Sequence, residues 1–557
     1  MSGLILIILL LILFIIMIIR GIVENKTNLK ILKRDFEKNF GKANTRTWKI
    51  EEMELVSRYA KKRETKQTID ELTWNDLDMD LIYQQMNYTE SSFGDDYLFY
   101  ILKNPLNNEE LLQKREEKIS CLARNTEKRI QLQILFHKIG RLKRYSFMDC
   151  VEYLIEEQTK SNGKHYLVDV FIFLSIILMA FNIGMGVMLF FALILYNIVM
   201  YFKHKAYLDP YLASLRYLFK ILDYTKEIAK MLPEEWTIER QKLQEILSSM
   251  KKIQKNAFLV MSPGRMGGEG LELILDYLRM IFHLDIIKFN QMLGELKIQE
   301  QNLWDLYEII GEMDACIAVV WYRKWLPLSC CPTLIEEKEI NMVDGYHPLI
   351  ENAVTNSFKM KENILLTGSN ASGKSTFLKT VAINILLAQT IHTCTAKEFY
   401  LPFCSLFTSM SLKDSITLKE SYYMAEIKSI KRILDSAYDG NMIVCMIDEV
   451  LRGTNTVERI AASTQILKSF SRPNVLCIAA THDVELTKTL EELYENYHFE
   501  ESMNQGDVVF SYHLMKGIAK SCNAINLLEH LGYDKDLIMN ARNMVNIFET
   551  QGEWICK

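Results

Sequence analysis

Proline and glycine, the residues that most often interrupt regular structure, are scarce in this chain. It has 9 prolines and 23 glycines among 557 residues. Long stretches without such breakers favour helices over a fold built from many short strands. Hydrophobic residues make up 49% of the chain, so a sizeable core is available and disorder is excluded as the main state. The length leaves room for roughly three or four domains.

An excess of positive charge is also lacking. The formal net charge is −5, so the chain has no overall basic field of the kind that marks many nucleic-acid-binding proteins. A local basic patch would still suffice, so the charge weakens a nucleic-acid hypothesis without excluding it. The 11 cysteines form no Cys-x-x-Cys pair and no cluster with zinc-ligand spacing. They predict reduced, mostly buried thiols in a reducing compartment.

The chain begins with an apolar segment. Leu4 to Ile19 contains no polar residue and is close to the lower length limit for a bilayer span. A cleaved signal peptide, which is the alternative, would have basic residues before this run and a small-residue cleavage site after it. Instead, basic residues follow it: Arg20, Lys26, Lys30, Lys33 and Arg34. By the positive-inside rule, residues 1–22 are predicted to be an uncleaved membrane anchor with its C-terminal side in the cytoplasm.

A second apolar segment runs from Tyr166 to Phe202. It is too long for one span, and the stretch from Asn182 to Gly186 offers a turn near its middle. Lys164 precedes the segment, and Lys203 and Lys205 follow it, so both ends are expected on the cytoplasmic side. We therefore predict a transmembrane hairpin of two short helices over residues 166–203. The alternative is a buried hairpin of a soluble protein.

The rest of the chain divides by its hydrophobic pattern. Residues 23–165 are predicted to form a cytoplasmic helical region, and residues 204–335 a second one. The first 48 residues of the former, 23–70, are rich in Lys and Arg, which fits either a segment near anionic lipid or a solvated helix face. After about Ile335, short β-like runs alternate with helices, so residues 336–557 are predicted to be an α/β domain.

A phosphate-binding loop is predicted at the start of this α/β domain. Asn363 to Thr367 is an apolar strand, and the residues after it fit the pattern GxxxxGK[ST]. These residues are Gly368, Ser369, Asn370, Ala371, Ser372, Gly373, Lys374 and Ser375, with Thr376 continuing into a helix. The glycines let the backbone wrap a phosphate, and the helix directs free N–H groups at it. Lys374 is expected to reach the β- and γ-phosphates of ATP, and Ser375 to ligate Mg²⁺.

Two further strands end in polar residues that suit the same chemistry. The apolar strand from Met442 to Ile447 is followed by Asp448, which can hold Mg²⁺, and by Glu449, which can polarise the attacking water. The strand from Val475 to Ala480 leads to Thr481 and His482. A histidine at the end of a parallel strand lies where ligands bind, so His482 is predicted to sense the γ-phosphate. A lone histidine with a purely structural role is the alternative.

Several longer stretches accompany these motifs. Residues 448–456 read Asp-Glu-Val-Leu-Arg-Gly-Thr-Asn-Thr, residues 345–349 read Gly-Tyr-His-Pro-Leu, and residues 420–426 read Glu-Ser-Tyr-Tyr-Met-Ala-Glu. Near the C-terminus, Gly517 to Ser521 is followed by Gly532 and Tyr533; upstream stand Phe93-Gly94, Asn104-Pro105-Leu106 and Arg115. The whole set resembles the MutS mismatch-repair ATPase family. The resemblance is extensive in residues 336–557 and weaker in the helical region before them.

The resemblance implies an α/β ATPase domain of the ABC/MutS type, placed after a helical core with lever-like helices. It also implies a homodimer with composite ATP sites, in which Ser421 of one subunit approaches the γ-phosphate bound to the other. Asn370 matches an asparagine that helps to place the attacking water. Together with Glu449 and His482, it completes the predicted catalytic set.

The chain also departs from the family pattern. Ser369, Ala371 and Ser372 replace the usual Pro, Met and Gly, while Leu451 replaces a glycine and Asn455 a serine. The stretch 354–356 has no aromatic residue where the family stacks the adenine. The N-terminal mismatch-reading domain and its Phe-x-Glu motif are missing, and the tripeptide starting at Phe499 lies in the wrong domain to replace it.

The sequence thus predicts a membrane-anchored, MutS-like ATPase that uses ATP and Mg²⁺ on the cytoplasmic face of the cell membrane. Its target is left open. One interpretation is mismatched or branched DNA, and the other is a signalling or scaffold role with protein or lipid as the partner. A transporter is disfavoured because three short spans give no pathway. The hairpin lies roughly where the family's levers reach their DNA clamp, so it either couples the levers to the bilayer or is a passive second anchor.

Overall fold

The computed structural model describes most of the chain. The described residues are 20, 23–24, 26–142, 146–158, 160–260, 269–369, 372–410, 422–451, 455–504, 507–518, 525, 528–529 and 532–551. The predicted anchor from Leu4 to Ile19 lies outside them and stays a prediction.

Helices account for almost all of the described chain up to Trp325, as the scarcity of breakers predicts. They are α1 (residues 26–39), α2 (Ile50–Lys62), α3 (Glu71–Asp76), α4 (Met79–Met86), α5 (Ser92–Lys103), α6 (Glu109–Arg124), α7 (Thr126–Ile139), α8 (Phe147–Glu156), α9 (Gly163–Phe181), α10 (Ile183–Met231), α11 (Thr237–Ser249), α12 (Lys251–Gln254), α13 (Glu269–Phe282), α14 (Leu284–Ile298) and α15 (Glu300–Trp325). Two 3₁₀ turns, Glu234–Trp236 and Ala257–Leu259, connect some of them.

The centre of the helical region is the contact between α5 and α15. A Cβ atom at Gly94 would lie 2.3 Å from the Asp314 carboxylate, so only glycine lets these two helices come so close. The buried Asp314 Oδ2 accepts hydrogen bonds from the Ser91 backbone N–H (2.9 Å) and the Ser91 hydroxyl (2.6 Å). The Ser91 hydroxyl also caps the first turn of α5 by accepting from the Gly94 N–H. The Phe93-Gly94 pair is thus a packing feature of the helical core.

The apolar segment forms a helical hairpin, but its second helix is much longer than predicted. The helix α9 ends at Phe181, Asn182 makes the turn, and α10 then continues for 49 residues to Met231. The prediction of two short helices ending near Phe202 was therefore wrong for the second one, and the boundary at 203/204 falls inside a helix. Lys203 and Lys205 add charge to the helix surface without interrupting the backbone hydrogen bonds, and so they do not end the helix.

The α/β domain contains two sheets. The smaller has the strand order β1 (Thr333–Leu334), β5 (Glu398–Leu401), β2 (Ile340–Gly345) and β3 (Asn356–Met360). The larger has the order β10 (Asp507–Lys516), β9 (Tyr494–Asn504), β4 (Asn363–Thr367), β8 (Val475–Ala480), β7 (Ile443–Asp448) and β6 (Ser405–Ser409). All its neighbouring pairs are parallel except β9 with β10. The helices are α16 (Lys374–Ile391), α17 (Tyr422–Ala437), α18 (Thr456–Ser469), α19 (Val484–Thr489) and α20 (Lys535–Gln551).

The first helices of the chain pack directly on the α/β domain. On α3, the buried Asp76 carboxylate accepts from the Thr408 hydroxyl (2.7 Å) and the Met410 N–H (3.0 Å) at the end of β6. Lys379 on α16 forms an ion pair with Asp78 at 2.5 Å. One continuous hydrophobic core joins the helical region to the larger sheet. The division at residue 335 therefore separates two kinds of secondary structure, not two independent cores.

Candidate functional site

The loop after β4 has the backbone that its glycines predict. All five residues of β4 are buried, which anchors the start of the loop in the centre of the sheet. The helix α16 begins at Lys374, directly after Gly373, whose φ is +110°. Residues with a Cβ rarely adopt this φ, so the turn into the helix depends on glycine. The first N–H groups of α16 therefore lie at the C-terminal edge of the parallel strands, where this class of sheet binds its ligands.

The Lys374 side chain lies over this loop. Its Nζ atom donates to the backbone oxygens of Gly368 (2.7 Å) and Ser369 (2.9 Å), and it lies 3.3 Å from His482 Nε2. An ammonium group in this position places a positive charge beside the N-terminus of α16. Both features attract an anion to the same point.

Ser375 and Asp448 meet beside Lys374. The Ser375 hydroxyl donates to Asp448 Oδ2 at 2.6 Å, which joins the first turn of α16 to the end of β7. A hydroxyl and a carboxylate oxygen are ligands of the kind that Mg²⁺ accepts, together with water and phosphate oxygens. The donor set therefore suits a magnesium ion next to a bound phosphate.

Glu449 and His482 form the third part of the site. Glu449 Oε1 lies 2.9 Å from His482 Nε2. Glu449 has a φ of +60°. Its N–H donates to the carbonyl of Ala480 at 2.9 Å, which ties the residue after β7 to the end of the neighbouring strand β8. A non-glycine residue in this conformation is uncommon and often marks a functional position. His482 thus lies within reach of both the carboxylate and the ammonium group.

Two interactions that the sequence reasoning missed hold these turns in place. Arg459 on α18 makes two hydrogen bonds to the Asp483 carboxylate, at 2.9 and 2.6 Å, directly after His482. Glu426 on α17 is buried, and its carboxylate accepts from the Leu451 N–H at 2.6 Å, two residues after Glu449. Glu426 is the last residue of the stretch 420–426 that carries part of the family resemblance, whereas the only sequence signal for Arg459 and Asp483 was their nearness to the motifs. Asn455, noted as a departure, caps α18 by accepting from the Val457 N–H at 2.9 Å.

A cavity of about 780 Å³ opens beside the loop. Its lining includes the polar residues Lys374, Ser375, Asp448, Glu449 and His482 and the apolar or aromatic residues His347, Ile350, Val354, Phe499 and Tyr512, with Glu351, Asn352 and Asn356 beside them. Burial, with a smaller contribution from the Lys379 cation, lowers the pKa of His347 to about 4, so this imidazole is neutral at pH 7. The cavity lining therefore combines charged groups with apolar ones.

Tyr512 supplies an aromatic ring that the sequence reasoning did not find. It lies on β10 with a φ of +54°, at a point where the register with β9 shifts. Asn356 holds this stretch by donating to the Tyr512 carbonyl (3.0 Å) and accepting from the Leu514 N–H (2.7 Å). A Cβ atom on Gly373 would lie 3.2 Å from the Tyr512 ring. The ring thus borders the loop from a strand 139 residues away in sequence.

Some predicted site residues lie outside the described part of the chain. These are Asn370, Ala371 and Ser421. Of the others, Gly368, Ser369, Ser372, Gly373, Lys374, Ser375, Thr376, Asp448, Glu449 and His482 are described, and they lie around the ends of β4, β7 and β8. The composite dimeric site, which depends on Ser421, stays a prediction.

Comparison with known proteins agrees with this arrangement. The family model for MutS domain V matches residues 364–549, from β4 to near the end of α20. The C-terminal domain of this chain is a MutS domain V. The predicted family relationship is therefore confirmed for this domain.

Curated relatives include "DNA mismatch repair protein MutS" from three bacteria. The protein from Aquifex pyrophilus is 28% identical over 296 residues, which are 51% of this chain and 34% of the relative. The one from Thermus thermophilus is 29% identical over 214 residues (38% and 26%), and that from Clostridium kluyveri 24% over 346 residues (59% and 38%). The matched segments thus span about a quarter to two fifths of the relatives' length.

Proposed function

We propose that this protein is a membrane-anchored ATPase that binds and hydrolyses ATP at the cavity beside the loop after β4. The observation that carries the proposal is the convergence of Lys374, the Ser375–Asp448 pair and the Glu449–His482 pair at one edge of the parallel sheet. A cation, a magnesium ligand pair and a carboxylate near a histidine are the groups that phosphoryl transfer to water requires. The similarity to MutS domain V supports the same activity.

The charged part of the lining suits a triphosphate. Lys374 contacts two carbonyl oxygens of its own loop, and phosphate oxygens are stronger acceptors that would replace them. The N–H groups at the start of α16 bind the same phosphates without any side chain. Ser375 and Asp448 would hold Mg²⁺, which neutralises the charge that develops on the phosphates during transfer.

The apolar part of the lining suits the nucleoside. Ile350, Val354 and Tyr512 all line the cavity. An aromatic ring next to aliphatic side chains offers a stacking surface for a base. The stretch 354–356 provides no aromatic ring that could stack on the adenine base. We assign this stacking role to Tyr512.

Glu449 and His482 have complementary roles in hydrolysis. The Glu449 carboxylate lies at the rim of the cavity, where it can accept a proton from a water molecule that attacks the γ-phosphate. The His482 Nε2 atom, 2.9 Å from this carboxylate and 3.3 Å from Lys374 Nζ, orients the carboxylate and senses the phosphate that Lys374 binds. Arg459 keeps His482 in place through Asp483, the next residue.

The proposal predicts that Lys374→Ala weakens binding of MgATP by at least about tenfold, because hydrogen bonds to charged groups each contribute roughly 1.5–3 kcal/mol. Titration calorimetry with a slowly hydrolysed ATP analogue measures this change. Lys468→Ala, which removes an exposed lysine of α18 in the same domain, is the matched control and should bind normally. Equal affinity of the Lys374→Ala variant and the control would remove this lysine from the nucleotide site.

The helical region is placed to respond to the nucleotide. At the far end of α16, the Leu106 N–H donates to the Gln389 carbonyl at 2.8 Å, and Arg115 on α6 donates to the Thr390 carbonyl. On α15, Arg323 makes two hydrogen bonds to Glu116 (2.9 and 2.6 Å) and also contacts the His392 carbonyl (2.9 Å). A shift of α16 on ATP binding would therefore move α6 and α15.

The same region leads to the membrane in our proposal. Helix α9 and the first 23 residues of α10 are long and apolar enough to span a bilayer. Only 11% of the apolar stretch in each helix is buried. Apolar helices with such exposure need lipid or a partner to cover them. We place them in the cell membrane, with the MutS domain V in the cytoplasm. Since α10 continues unbroken to Met231, movement of the helical region would also move the part of α10 that we place in the bilayer.

A second candidate gives the ATPase a DNA target, and it is favoured by the relatives, which are named DNA mismatch repair proteins. If this candidate is correct, the protein binds mismatched or branched duplex DNA. A plot of the logarithm of its affinity against the logarithm of the salt concentration should then have a slope of about −0.9 for each phosphate contacted. Fluorescence anisotropy between roughly 50 and 200 mM salt, the range over which such contacts weaken, measures this slope. A flat response, or equal affinity for perfectly paired and mismatched duplexes, would reject mismatch recognition.

A further inference from the structure

A second cavity, of about 640 Å³, lies at the base of the helical hairpin. We call it the hairpin-base pocket. Its polar lining includes Lys160, Lys164, His165, His204 and His283, and its apolar lining includes Val168, Tyr196, Met200, Leu208 and Ile286. Among the described residues that line it there is no carboxylate. The nucleotide site makes no use of this pocket, which lies on other elements.

Three histidines come together in this pocket from three helices or their ends. His165 Nδ1 lies 2.8 Å from His283 Nδ1, and the rings of His165 and His204 are 5.9 Å apart. His283 Nε2 lies 2.9 Å from the Asn197 carbonyl, and His204 Nδ1 lies 2.7 Å from the Met200 carbonyl. The imidazoles are thus fixed in place by the backbone of α10 and by each other.

The start of α9 adds positive charge to the same place. The helix begins at Gly163, and its 19 residues give it a full dipole whose positive end is at the pocket. Lys164, in its first turn, is exposed and lines the pocket. Asn162, just before the helix, donates to the Ile287 carbonyl (3.0 Å) and accepts from the Asn290 amide (2.7 Å), which ties this end of α9 to α14. The pocket therefore combines positive charge, from Lys164 and the N-terminus of α9, with an apolar side.

We propose that the hairpin-base pocket binds the phosphate headgroup of an anionic phospholipid, with the acyl chains lying along the exposed apolar faces of α9 and α10. The inference rests on the proposed insertion of the hairpin in the membrane. The charge complementarity and the position favour lipid over other anions, because the pocket opens where two apolar helices enter the bilayer. Val168 and Met200, on the pocket wall, continue into the lipid-facing surface of the hairpin.

The hydrogen bonds of the imidazoles define their neutral tautomers. A carbonyl oxygen only accepts, so neutral His283 carries its proton on Nε2 and accepts at Nδ1 from His165, while neutral His204 carries its proton on Nδ1. Each N–H is then used within the protein, so the positive charge that meets an anion comes from Lys164 and from the N-terminus of α9.

Charged groups also lie on the elements that form the pocket. They are Glu157 and Lys160 before α9, Lys164 and Asp169 on α9, Lys205 on α10, and Asp285 on α14. Glu157 pairs with Lys160 at 3.4 Å, and Asp285 accepts from the Tyr201 hydroxyl at 3.0 Å. On α13, Arg279 pairs with Asp276 at 2.7 Å. Glu157, Asp285 and Asp276 thus have partners within the protein and lie outside the lining of the pocket.

The test uses the full chain in neutral-detergent micelles that contain equal amounts of phosphatidylglycerol and phosphatidylcholine. After exchange into lipid-free detergent, mass spectrometry counts the lipids that each protein retains. At pH 7 we expect phosphatidylglycerol to be retained over phosphatidylcholine by about fivefold, on the scale of one cation next to an anionic headgroup.

Two variants separate the pocket from diffuse surface charge. Lys164→Gln should lose most of the preference, whereas Lys203→Gln should keep it, since Lys203 is exposed at the same level of the hairpin but does not line the pocket. An equal loss in the Lys203→Gln variant would overturn the assignment to the pocket. Equal retention of the two lipids by the unmodified protein would overturn the proposal altogether.

Two further results bear on the choice of ligand. Inorganic phosphate alone, titrated into the protein in phosphatidylcholine micelles, should bind at least about fivefold more weakly than phosphatidylglycerol, because it buries no acyl chain. Equal affinity would show a free-anion site instead of a lipid site. Failure of the membrane proposal would appear separately, as a hairpin turn that is labelled from the cytoplasmic side in intact cells.

Discussion

Glu449→Gln is expected to lower ATP turnover by at least about hundredfold while changing the affinity for ATP by less than about threefold. The substitution keeps the size of the side chain and its ability to form a hydrogen bond to His482, whose Nε2 atom lies 2.9 Å from Glu449 Oε1. It removes the negative charge that accepts the proton from the attacking water. Because Lys374, Ser375 and Asp448 are untouched, the nucleotide should still bind. Single-turnover hydrolysis and calorimetry with ATP measure the two quantities separately.

Two companion variants define what this result means. Glu491→Gln removes an exposed carboxylate of the same domain away from the cavity, and its turnover should be unchanged. His482→Ala should lower turnover less than Glu449→Gln does, by about tenfold, because the histidine orients the carboxylate without replacing it. If Glu449→Gln retained normal turnover, another group would have to act as the base, and the assigned role of Glu449 would be lost.

Short-range patterns in the sequence were enough to predict which strand ends would carry the residues of the candidate site, whose function stays a prediction. The apolar stretches 363–367 and 475–480 form β4 and β8 at those residues, and a strand ending in Asp448 forms β7. Parallel strands bring their C-terminal ends to one edge, so residues at the ends of three strands had to be neighbours. The contacts of Ser375 with Asp448 and of Lys374 with His482 follow from that topology.

Contacts between segments that are far apart in the chain could not be predicted from the sequence pattern. Tyr512 reaches the cavity because a register shift and a positive φ turn its part of β10 toward Gly373, and no local motif announces either feature. The docking of α3 on β6 through Asp76 was missed for the same reason, since 332 residues separate Asp76 from Thr408. A hydrophobic pattern shows which face of an element is buried but not which partner covers it.

For the hairpin, the sequence predicted the turn and the first helix but not the length of the second helix. The turn at Asn182 and the first helix agree with the prediction, because an asparagine caps α10 by accepting from the Met185 N–H at 3.1 Å. The end of the second helix was placed too early because Lys203 and Lys205 mark the end of the apolar stretch, not the end of the helix. A continuous helix through this point joins the apolar segment rigidly to residues that pack against α7, α8 and α11.

The combined substitution Phe173→Arg and Phe191→Arg is expected to stop the hairpin from inserting in the membrane. Both side chains are exposed, at 58% and 63%, near the middle of the two apolar helices. An arginine at the centre of a span opposes insertion by roughly 2.5–3.5 kcal/mol, so the pair should lower the equilibrium constant for insertion by more than about a thousandfold. A cysteine introduced at Asn182 reports the change. It should react with a membrane-impermeant reagent from outside the cell in the parent chain, and only from inside in the double variant.

The sign of the effect separates the membrane from the alternative of a soluble hairpin. In water, an exposed phenylalanine adds apolar surface, and replacing it with arginine would leave the fold intact or improve its solubility. In lipid, the same change is strongly unfavourable. Ile298→Arg is the matched control, because this residue is 75% exposed at the end of α14, outside the hairpin, and its substitution should not alter labelling at Asn182. Cysteines at Lys164 and Lys203 should react only from inside in every variant. Labelling at Asn182 from inside in the parent chain would place the hairpin in the cytoplasm and reject the proposed anchorage.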